Sequence, residues 1–353
     1  MKIYEDSSIY VACPANKSSG GHETLHQLVS VLRDKNYDAY IFYYDSGKGQ
    51  ASVPEKFKEY NIEYVTHIVD NDKNIIVIPE VYTELIYKYK KIRKCIWFLS
   101  VDFYTKKLNS NRVNEILRKK NINNKIKFLV EPLLYLYLYI SKKSIKQLKF
   151  NVDKNKNEYF YFYNCEYAKE FLIKNGIKED RVEYLCGPIS EEYRNIDINN
   201  INKRNIISYN PLKGGEFYTG LLNKIITERP DIEIVPIKDM TLIEIKELLC
   251  STKVYMDFGF FPGPERIPRE AVSCYCNIIT STEGSAKNDI DVPIPRKFKF
   301  DINNTSIEKI ADCIYELVDN YDKYNDLYEN YRIKVRNQRR LFRENIDKIF
   351  TLD

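Results

Sequence analysis

Two spacings of apolar residues follow each other along the chain, and they predict strands that alternate with helices. Residues 8–13 form a short apolar run that ends at Pro14 and is typical of a strand. After a glycine-containing loop, apolar residues recur three and four positions apart over residues 22–35, which predicts a helix, and residues 37–44 predict the next strand. A strand, a loop, a helix and a strand in this order form the βαβ unit of a parallel sheet.

The same pattern continues through both halves of the chain. Further strands are predicted at residues 74–78, 94–99, 126–130, 158–163, 205–209, 233–236, 253–258 and 277–280, and further helices at 82–89, 168–175, 217–228, 242–250, from 268 onwards and at 306–331. We therefore predict an α/β protein with two Rossmann-like, doubly wound domains, residues 1–190 and 205–330, joined by a polar linker at 191–204. The carboxyl ends of the strands are expected to face a central cleft.

Composition excludes several classes of protein. The chain has 353 residues, of which 44% are hydrophobic and 14% aromatic, so it is not a disordered protein. Its eight cysteines have neither the density of a disulfide scaffold nor the spacing of a zinc site, which suits a reducing cytoplasm. The N-terminus does not resemble a signal peptide, and the longest apolar run, Leu133 to Ile140, is too short for a membrane helix. We expect a soluble protein.

Positive charge is concentrated in one stretch of the predicted first domain. Between Lys88 and Lys156 there are 19 lysine or arginine residues and four acidic residues, whereas the whole chain has a net charge of +5. Such an asymmetry can attract phosphates, an acidic glycan or the anionic surface of a bilayer, and a solvated lysine face is the alternative. No nucleic-acid-binding motif is found in the stretch, so nucleic acid is not expected as a partner.

Each predicted domain begins with a strand, a loop with a glycine pair, and a helix. Backbone N–H groups at Gly20 and Gly21 in the first domain can bind phosphate oxygens, and a plain turn is the alternative. The second domain repeats the arrangement with Gly214 and Gly215, and the preceding Lys213 adds positive charge. His22 and His26 lie four residues apart on the first helix, but no third ligand is evident, so a metal site is not expected.

The run DFGFFPGPERIPREA, residues 257–271, is predicted to form a stiff loop after a strand of the second domain. Three prolines and two glycines shape it, and it carries Glu265, Arg266, Arg269 and Glu270. Charged groups at the end of a strand are costly unless they are paired or bind something polar. A local network of glutamate and arginine that caps the next helix is the alternative to a binding site.

Taken in order, these three motifs resemble those of a bacterial glycosyltransferase of the GT-B type, as a divergent relative of the retaining group-1 glycosyltransferases. In those families the late motif reads approximately EGFGxxPxEA, and Gly263, Pro268, Glu270 and Ala271 match it. The resemblance implies that Glu270 binds the ribose hydroxyls of a nucleotide-sugar and that Lys213 contacts its diphosphate. It also implies that residues 331–353 form a helix that returns to the first domain.

The late motif departs from the family at two positions. Pro262 occupies the position of the family's first glutamate, which holds the donor sugar, so that contact is absent or comes from Glu265. Glu265 itself occupies the position of the second glycine of the family motif. Arg266 and Arg269 are expected to add positive charge near the diphosphate. The departures leave the donor sugar and the stereochemistry open. GT-B enzymes need no metal-binding DxD motif, and residues 289–291 (DID) are interpreted as a turn, so we expect neither a metal nor another cofactor.

Two residues of the first domain are candidates for catalysis. Asp102 follows the predicted strand at residues 94–99, where it can accept a proton from an acceptor hydroxyl if the reaction inverts, or stabilise positive charge if it retains. An aspartate that caps the next helix is the alternative. The other candidate is His22, whose imidazole can form a hydrogen bond with the leaving group or with the sugar.

The sequence therefore predicts a metal-independent glycosyltransferase that moves a sugar from a nucleotide-sugar to a saccharide or lipid-linked glycan in the synthesis of bacterial surface polysaccharides. It would act in the cytoplasm, at the inner face of the membrane, where its basic face would meet anionic lipid. A non-catalytic glycan-binding or scaffold subunit and a sugar-nucleotide epimerase are the alternatives. Neither the donor, the acceptor nor the oligomeric state follows from the sequence.

Overall fold

The structure, a computed structural model, describes residues 1–16, 19–44, 52–120 and 122–352. The chain divides into two compact units. The first unit consists of Met1–Asn164, Ala168–Leu185 and Asn345–Asp353, and the second of Cys165–Tyr167 and Cys186–Glu344. Among the described residues, no helix combines the length and the apolar character that are needed to cross a membrane.

The first unit is built on a parallel sheet of seven strands. Its strands are β2 (Ser8–Cys13), β3 (Asp38–Tyr43), β4 (Tyr64–Val65), β5 (Ile75–Pro79), β6 (Arg93–Phe98), β7 (Phe160–Tyr163) and β8 (Val182–Tyr184), and β1 (Lys2–Ile3) pairs separately with β14 (Thr351–Leu352). The spatial order is β4-β3-β2-β5-β6-β7-β8, so the chain leaves β2 in one direction and returns at β5 to continue in the other. Ligands of such sheets bind outside the carboxyl ends of the strands at this reversal.

Helices connect these strands because the intervening segments have one apolar face. They are α1 (Gly20–Asp34), α2 (Val101–Lys107), α3 (Asn109–Lys119), α4 (Asn124–Ile140) and α5 (Glu166–Lys174), with short 3₁₀ segments at Glu55–Tyr60, Glu80–Tyr87 and Glu179–Arg181. In α1, Leu25, Leu28 and Leu32 face the sheet and are buried. The central strands are buried on both faces, as parallel strands between helices usually are.

The second unit repeats this architecture on a parallel sheet of five strands. The strands are β9 (Arg204–Tyr209), β10 (Glu233–Pro236), β11 (Thr252–Asp257), β12 (Asn277–Ser281) and β13 (Lys299–Phe300), and the helices are α6 (Gly215–Glu228), α7 (Leu242–Ser251), α8 (Arg266–Ser273), α9 (Ile307–Asp319), α10 (Tyr321–Asn325) and α11 (Glu329–Ile349). The order β10-β9-β11-β12-β13 reverses between β9 and β11. The loop that leaves β9 therefore lies at the point where a ligand is expected.

Three predictions from the sequence need correction. The segment 126–130 belongs to α4 and is not a strand. The segment 191–204 is not a linker between the units, because the second unit begins at Cys186 and Tyr193 is buried in its core. The chain does return to the first unit as predicted, but it does so at Asn345 and not at residue 331, because most of the last helix belongs to the second unit.

Candidate functional site

The predicted glycine loop of the second unit lies directly before α6. Gly214 has φ +89° and Gly215 has φ +49°, a region that favours glycine, and the ring of Tyr218 occupies the space that a Cβ at Gly214 would need. Gly214 is the residue before the first turn of α6, and it offers no side chain to cap that turn. The first N–H groups of the helix therefore suit an anion.

Lys213, the residue before this pair, is held in place by two carboxylates and a ring. Its Nζ lies 2.7 Å from Oε2 of Glu265 and 3.8 Å from Oδ2 of Asp257. The ammonium also lies 4.9 Å from the centroid of the Phe261 ring. The stem of the lysine packs on Gly259, where any Cβ would collide with it. Lys213 is thus a positioned, one-fifth exposed cation and not a freely solvated lysine.

Asp257, at the carboxyl end of β11, is a site residue that sequence reasoning missed. Its side chain is 1% exposed, and burial raises its pKa to about 6 although the nearby Lys213 opposes the shift. The hydroxyl of Tyr255 and the backbone N–H of Gly259 both donate to its carboxylate, each over 3.1 Å. Its place as the first residue of the run DFGFF, at the end of a strand, was the signal available in the sequence.

The predicted charged run shapes the start of α8. Arg266 donates from Nε to Oε1 of Glu270, one turn further along, and from one terminal nitrogen to the hydroxyl of Ser190 over 2.7 Å. Glu270 is 2% exposed. The pairing of glutamate and arginine that was considered as the alternative to a binding site is therefore present, but Glu265 makes no side-chain cap on α8 and pairs with Lys213 instead.

Arg269 is engaged in packing. Its guanidinium donates to the carbonyl of Gly187 over 2.9 Å and to Oε1 of Gln338 on α11 over 2.6 Å, and its Nε donates to the carbonyl of Glu265 over 3.2 Å. These contacts tie α8 to the start of the second unit and to the last helix. Of the predicted site residues, the structure thus pairs Lys213 with Glu265 and Arg266 with Glu270. Arg269 contacts Gly187 and Gln338 instead.

In the first unit the predicted glycine loop precedes α1 and approaches the end of β6. Gly20 is exposed, with open space around it, and a Cβ at Gly21 would lie 3.7 Å from the side chain of Leu99. Nδ1 of His22 lies 2.5 Å from the hydroxyl of Ser19, so the imidazole stands at the first turn of the helix. Ser18, which the sequence also places in this loop, lies outside the described residues.

Asp102 lies in the first turn of α2, after β6. The helix is capped by Ser100, whose hydroxyl accepts from the N–H of Phe103 over 3.2 Å, so the capping role considered for Asp102 is wrong. Within the described part of the chain, Oδ2 of Asp102 is buried and has no hydrogen-bond partner. Burial raises the pKa of this carboxyl group, although Lys106 opposes the shift. A carboxylate in this state is a stronger base than an exposed aspartate.

Glu80 is a second acidic residue that sequence reasoning missed. It follows β5, is 2% exposed, and accepts a hydrogen bond over 3.0 Å from the N–H of Leu99. Burial raises its pKa to about 8. On the other side, the amide of Asn164 donates to the carbonyl of Leu99 over 2.9 Å. The two side chains fix the turn that leads into Asp102.

The DxD-like segment is a turn, as predicted from the sequence. Asp289 pairs with Arg296 and Lys299. The carboxylate of Asp291 accepts from the N–H groups of Glu166 and Tyr167, at the start of α5. Among the described residues, no group of three or more histidine, cysteine, aspartate or glutamate side chains is arranged to hold a metal ion.

Known family models do not match the sequence, and no curated protein matches it either. The structure, in contrast, resembles solved structures over nearly its whole length. HepE from Anabaena, solved in complex with UDP-glucose, has a TM-score of 0.55 at 10% identity, with 97% of this chain and 98% of that chain covered. For WaaG, a glycosyltransferase involved in lipopolysaccharide biosynthesis, the TM-score is 0.55 at 10% identity, with 97% and 99% covered.

A third solved structure gives the same result. Sucrose-phosphate synthase from Thermosynechococcus elongatus has a TM-score of 0.56 at 11% identity, with 97% of this chain and 98% of that chain covered. At this level of identity the similarity establishes the fold. The chain thus has the GT-B fold of these glycosyltransferases, with two Rossmann-like units, as the resemblance of its motifs implied.

Proposed function

We propose that the chain is a metal-independent glycosyltransferase that transfers a sugar from a nucleotide-sugar to a saccharide or lipid-linked acceptor during the synthesis of bacterial surface polysaccharide. The observation that carries the proposal is the placement of Lys213. This residue directly precedes the uncapped start of α6, in the loop at the point where the strand order of the second sheet reverses, and Glu265 and Asp257 hold its ammonium. Support also comes from the solved neighbours with this fold, which include HepE with UDP-glucose and the glycosyltransferase WaaG.

On the donor side, positive charge meets the negative charge of the diphosphate. Lys213 neutralises it directly, and the N–H groups after Gly214 and Gly215 donate hydrogen bonds to the phosphate oxygens. Because Lys213 is already paired with Glu265, a diphosphate has to compete with that carboxylate or share the ammonium with it. Glu265 then becomes available for the hydroxyls of the donor sugar.

The ion pair of Arg266 and Glu270 on α8 contributes the remaining contacts to the donor. Glu270 accepts hydrogen bonds from the ribose hydroxyls, and its ion pair with Arg266 holds the buried carboxylate in place. Arg266 also contributes positive charge near the diphosphate. Arg269 acts by holding α8 against Gly187 and Gln338, which keeps this pair in place.

On the acceptor side, Asp102 is the residue that we assign to proton transfer. If the reaction inverts, its carboxylate takes the proton of the acceptor hydroxyl while the oxygen of that hydroxyl forms the new bond to the sugar and the nucleoside diphosphate leaves. If the reaction retains, the same charge stabilises the oxocarbenium-like transition state. Its buried, unpartnered oxygen within the described residues and its raised pKa support this role. His22, beside Gly20 and Gly21, is assigned to the leaving group.

A screen for hydrolysis of UDP-, GDP- and CMP-sugars without acceptor tests the proposal. The wild-type protein is expected to release the nucleotide from one donor, and Asp102→Asn is expected to lower the rate at least about a hundredfold while the donor binds with unchanged affinity. Asp180→Asn, an exposed acid of the same unit, is the matched control. No release from any donor, together with binding of a glycan, would instead identify a scaffold subunit. A 2-epimer of the donor sugar as product would identify an epimerase.

A further inference from the structure

Helix α4 covers a satellite core with one face and leaves the other face apolar. Leu138 packs with Val113 and Leu117 of α3, with Val130 and Leu134 beside them. The opposite face contains the exposed residues of the helix from position 126 onwards. These are Ile126, Phe128, Leu129, Pro132, Leu133, Leu136, Tyr137, Tyr139 and Ile140.

None of these nine exposed residues carries a charge. Positions 129, 133, 136, 137 and 140 follow the spacing of a single helical stripe, and the side chains at 128, 133 and 140 are 69%, 63% and 70% exposed. The charged residues of the same span, Lys127 and Glu131, are only half-buried and lie toward the packed side. A contiguous apolar surface of this kind marks an interaction site.

Positive charge surrounds the end of this face. Lys142 and Lys143 follow the helix directly and are exposed. Next to them lies a groove of about 620 Å³, which is lined by Tyr139 of the apolar face, by Tyr87 and Asn109, and by mostly polar residues of the segment 144–155. Its exposed lysines are Lys146, Lys149 and Lys154. Among the described residues Asp153 is the one acid that lines the groove, and its carboxylate accepts a hydrogen bond from the hydroxyl of Tyr87 over 3.1 Å.

We propose that α4 lies in the interface of an anionic bilayer, with its exposed apolar face among the acyl chains and with lipid phosphates in the adjacent lysine groove. An apolar helix face bordered by lysines is the arrangement that binds such a surface. A second protein chain would need complementary acids opposite the lysines, whereas a bilayer supplies both the apolar layer and the phosphates. The proposal adds an inserted helix to the purely electrostatic contact that the sequence predicted, and it is independent of the sugar transfer.

Co-sedimentation with vesicles tests both parts of the proposal. Neutral phosphatidylcholine vesicles are compared with vesicles that contain about 30% phosphatidylglycerol, each at low and high salt. The wild-type protein is expected to pellet with the anionic vesicles and to retain part of that binding at high salt. The triple variant Phe128→Ser, Leu133→Ser and Leu136→Ser is expected to lower the partition coefficient at least about tenfold and to lose the salt-resistant part.

Matched controls separate the surface from a general loss of apolar or basic residues. Val69→Ser, Ile226→Ser and Ile243→Ser change side chains that are 62%, 59% and 66% exposed, and they are expected to leave binding unchanged. Lys146→Gln, Lys149→Gln and Lys154→Gln together should lower binding at low salt about tenfold. The same change at three exposed lysines of the second unit should leave binding unchanged. These lysines are Lys238, Lys309 and Lys323.

The depth of insertion has a separate readout. Phe128→Trp places an indole on the proposed face, while the natural Trp97 is fully buried and gives a constant background. Its emission is expected to shift to the blue on anionic vesicles and to be quenched by brominated acyl chains. Equal pelleting of the wild-type protein and the serine variant would overturn the proposal. So would a dimer in light scattering that the serine variant abolishes, because a second copy would then cover the face.

Discussion

The ion pair between Lys213 and Glu265 allows a test in which the two members have opposite effects on nucleotide binding. If Lys213 binds the diphosphate, Lys213→Met removes the cation, keeps the length of the stem, and weakens binding. Glu265→Gln removes the acceptor that competes for the ammonium and one negative charge near the phosphates, so it strengthens the binding of UDP alone. A merely structural ion pair would give a loss, or no change, for both variants.

The expected magnitude follows from the geometry of the pair. The two groups are 2.7 Å apart, and their side chains are 21% and 23% exposed, so the pair is neither fully solvated nor fully buried. A charged hydrogen bond contributes about 1.5–3 kcal/mol, and an exposed ion pair at most about 1 kcal/mol. Since 1.4 kcal/mol corresponds to tenfold, Lys213→Met should weaken UDP binding at least about tenfold, and Glu265→Gln should strengthen it roughly threefold to tenfold.

Isothermal titration with UDP and GDP measures both effects, and the chain contains a matched control. Lys224 and Glu228 of α6 form an ion pair of 2.6 Å in the same unit, and Lys224 is 23% exposed. Lys224→Met and Glu228→Gln are expected to leave the affinity within about twofold. The reasoning is refuted if folded Lys213→Met binds as tightly as the wild-type protein, or if Glu265→Gln weakens binding as much as Lys213→Met does.

Three further predictions concern burial, packing and metal. Because burial raises the pKa of Glu80 to about 8 from 4.5, the folded state keeps a proton that the unfolded state loses, and the stability from this group falls as pH rises between these values. The difference in Tm between Glu80→Gln and the wild-type protein should therefore move in favour of the variant by roughly 2 °C or more as the pH is raised from about 6 to about 9. Thermal unfolding measures this difference, and a difference that stays constant with pH would contradict the prediction. Gly259→Ala should weaken UDP binding roughly threefold or more in the same titration, because its Cβ displaces the stem of Lys213; unchanged affinity would show that the packing is irrelevant. Transferase activity should persist in excess EDTA, and loss of activity that Mg²⁺ or Mn²⁺ restores would show that a metal supplies the charge that we assign to Lys213 and Arg266.

The longer strands and their order of appearance could be predicted from the sequence because parallel strands leave short apolar runs between amphipathic helices, whereas the short strands β4, β8 and β13 were missed. The error at α4 has a physical cause. Apolar residues cover nearly the whole circumference of this helix, so its sequence shows no helical period, and the run 126–130 looks like a strand. Which half of the helix is covered depends on α3, a tertiary contact that no local pattern contains.

Parts of the candidate site could be inferred from the sequence where a glycine pair or a charged motif marks them. The loops before α1 and α6 carry glycine pairs, and the run from Glu265 to Glu270 stands out among prolines. Asp257 opens the run DFGFF but was not singled out within it, and Glu80 left no mark at all, since a single acid at the end of a strand is common in any sequence. Their raised pKa values come from burial by residues that are distant in the chain, which only the folded structure brings together.

The two units place different chemistry at the same position of the same architecture. Each sheet reverses its strand order beside a helix that begins with a glycine pair, so each has a place for a polar ligand at the carboxyl ends of its strands. In the second unit that edge carries Lys213, a cation paired with acids, which suits a diphosphate. In the first unit it carries Glu80 and Asp102, two acids whose pKa is raised by burial, which suits proton transfer. Because the fold is shared and the side chains differ, the donor and acceptor roles that we propose rest on the residues at the two edges and not on the architecture.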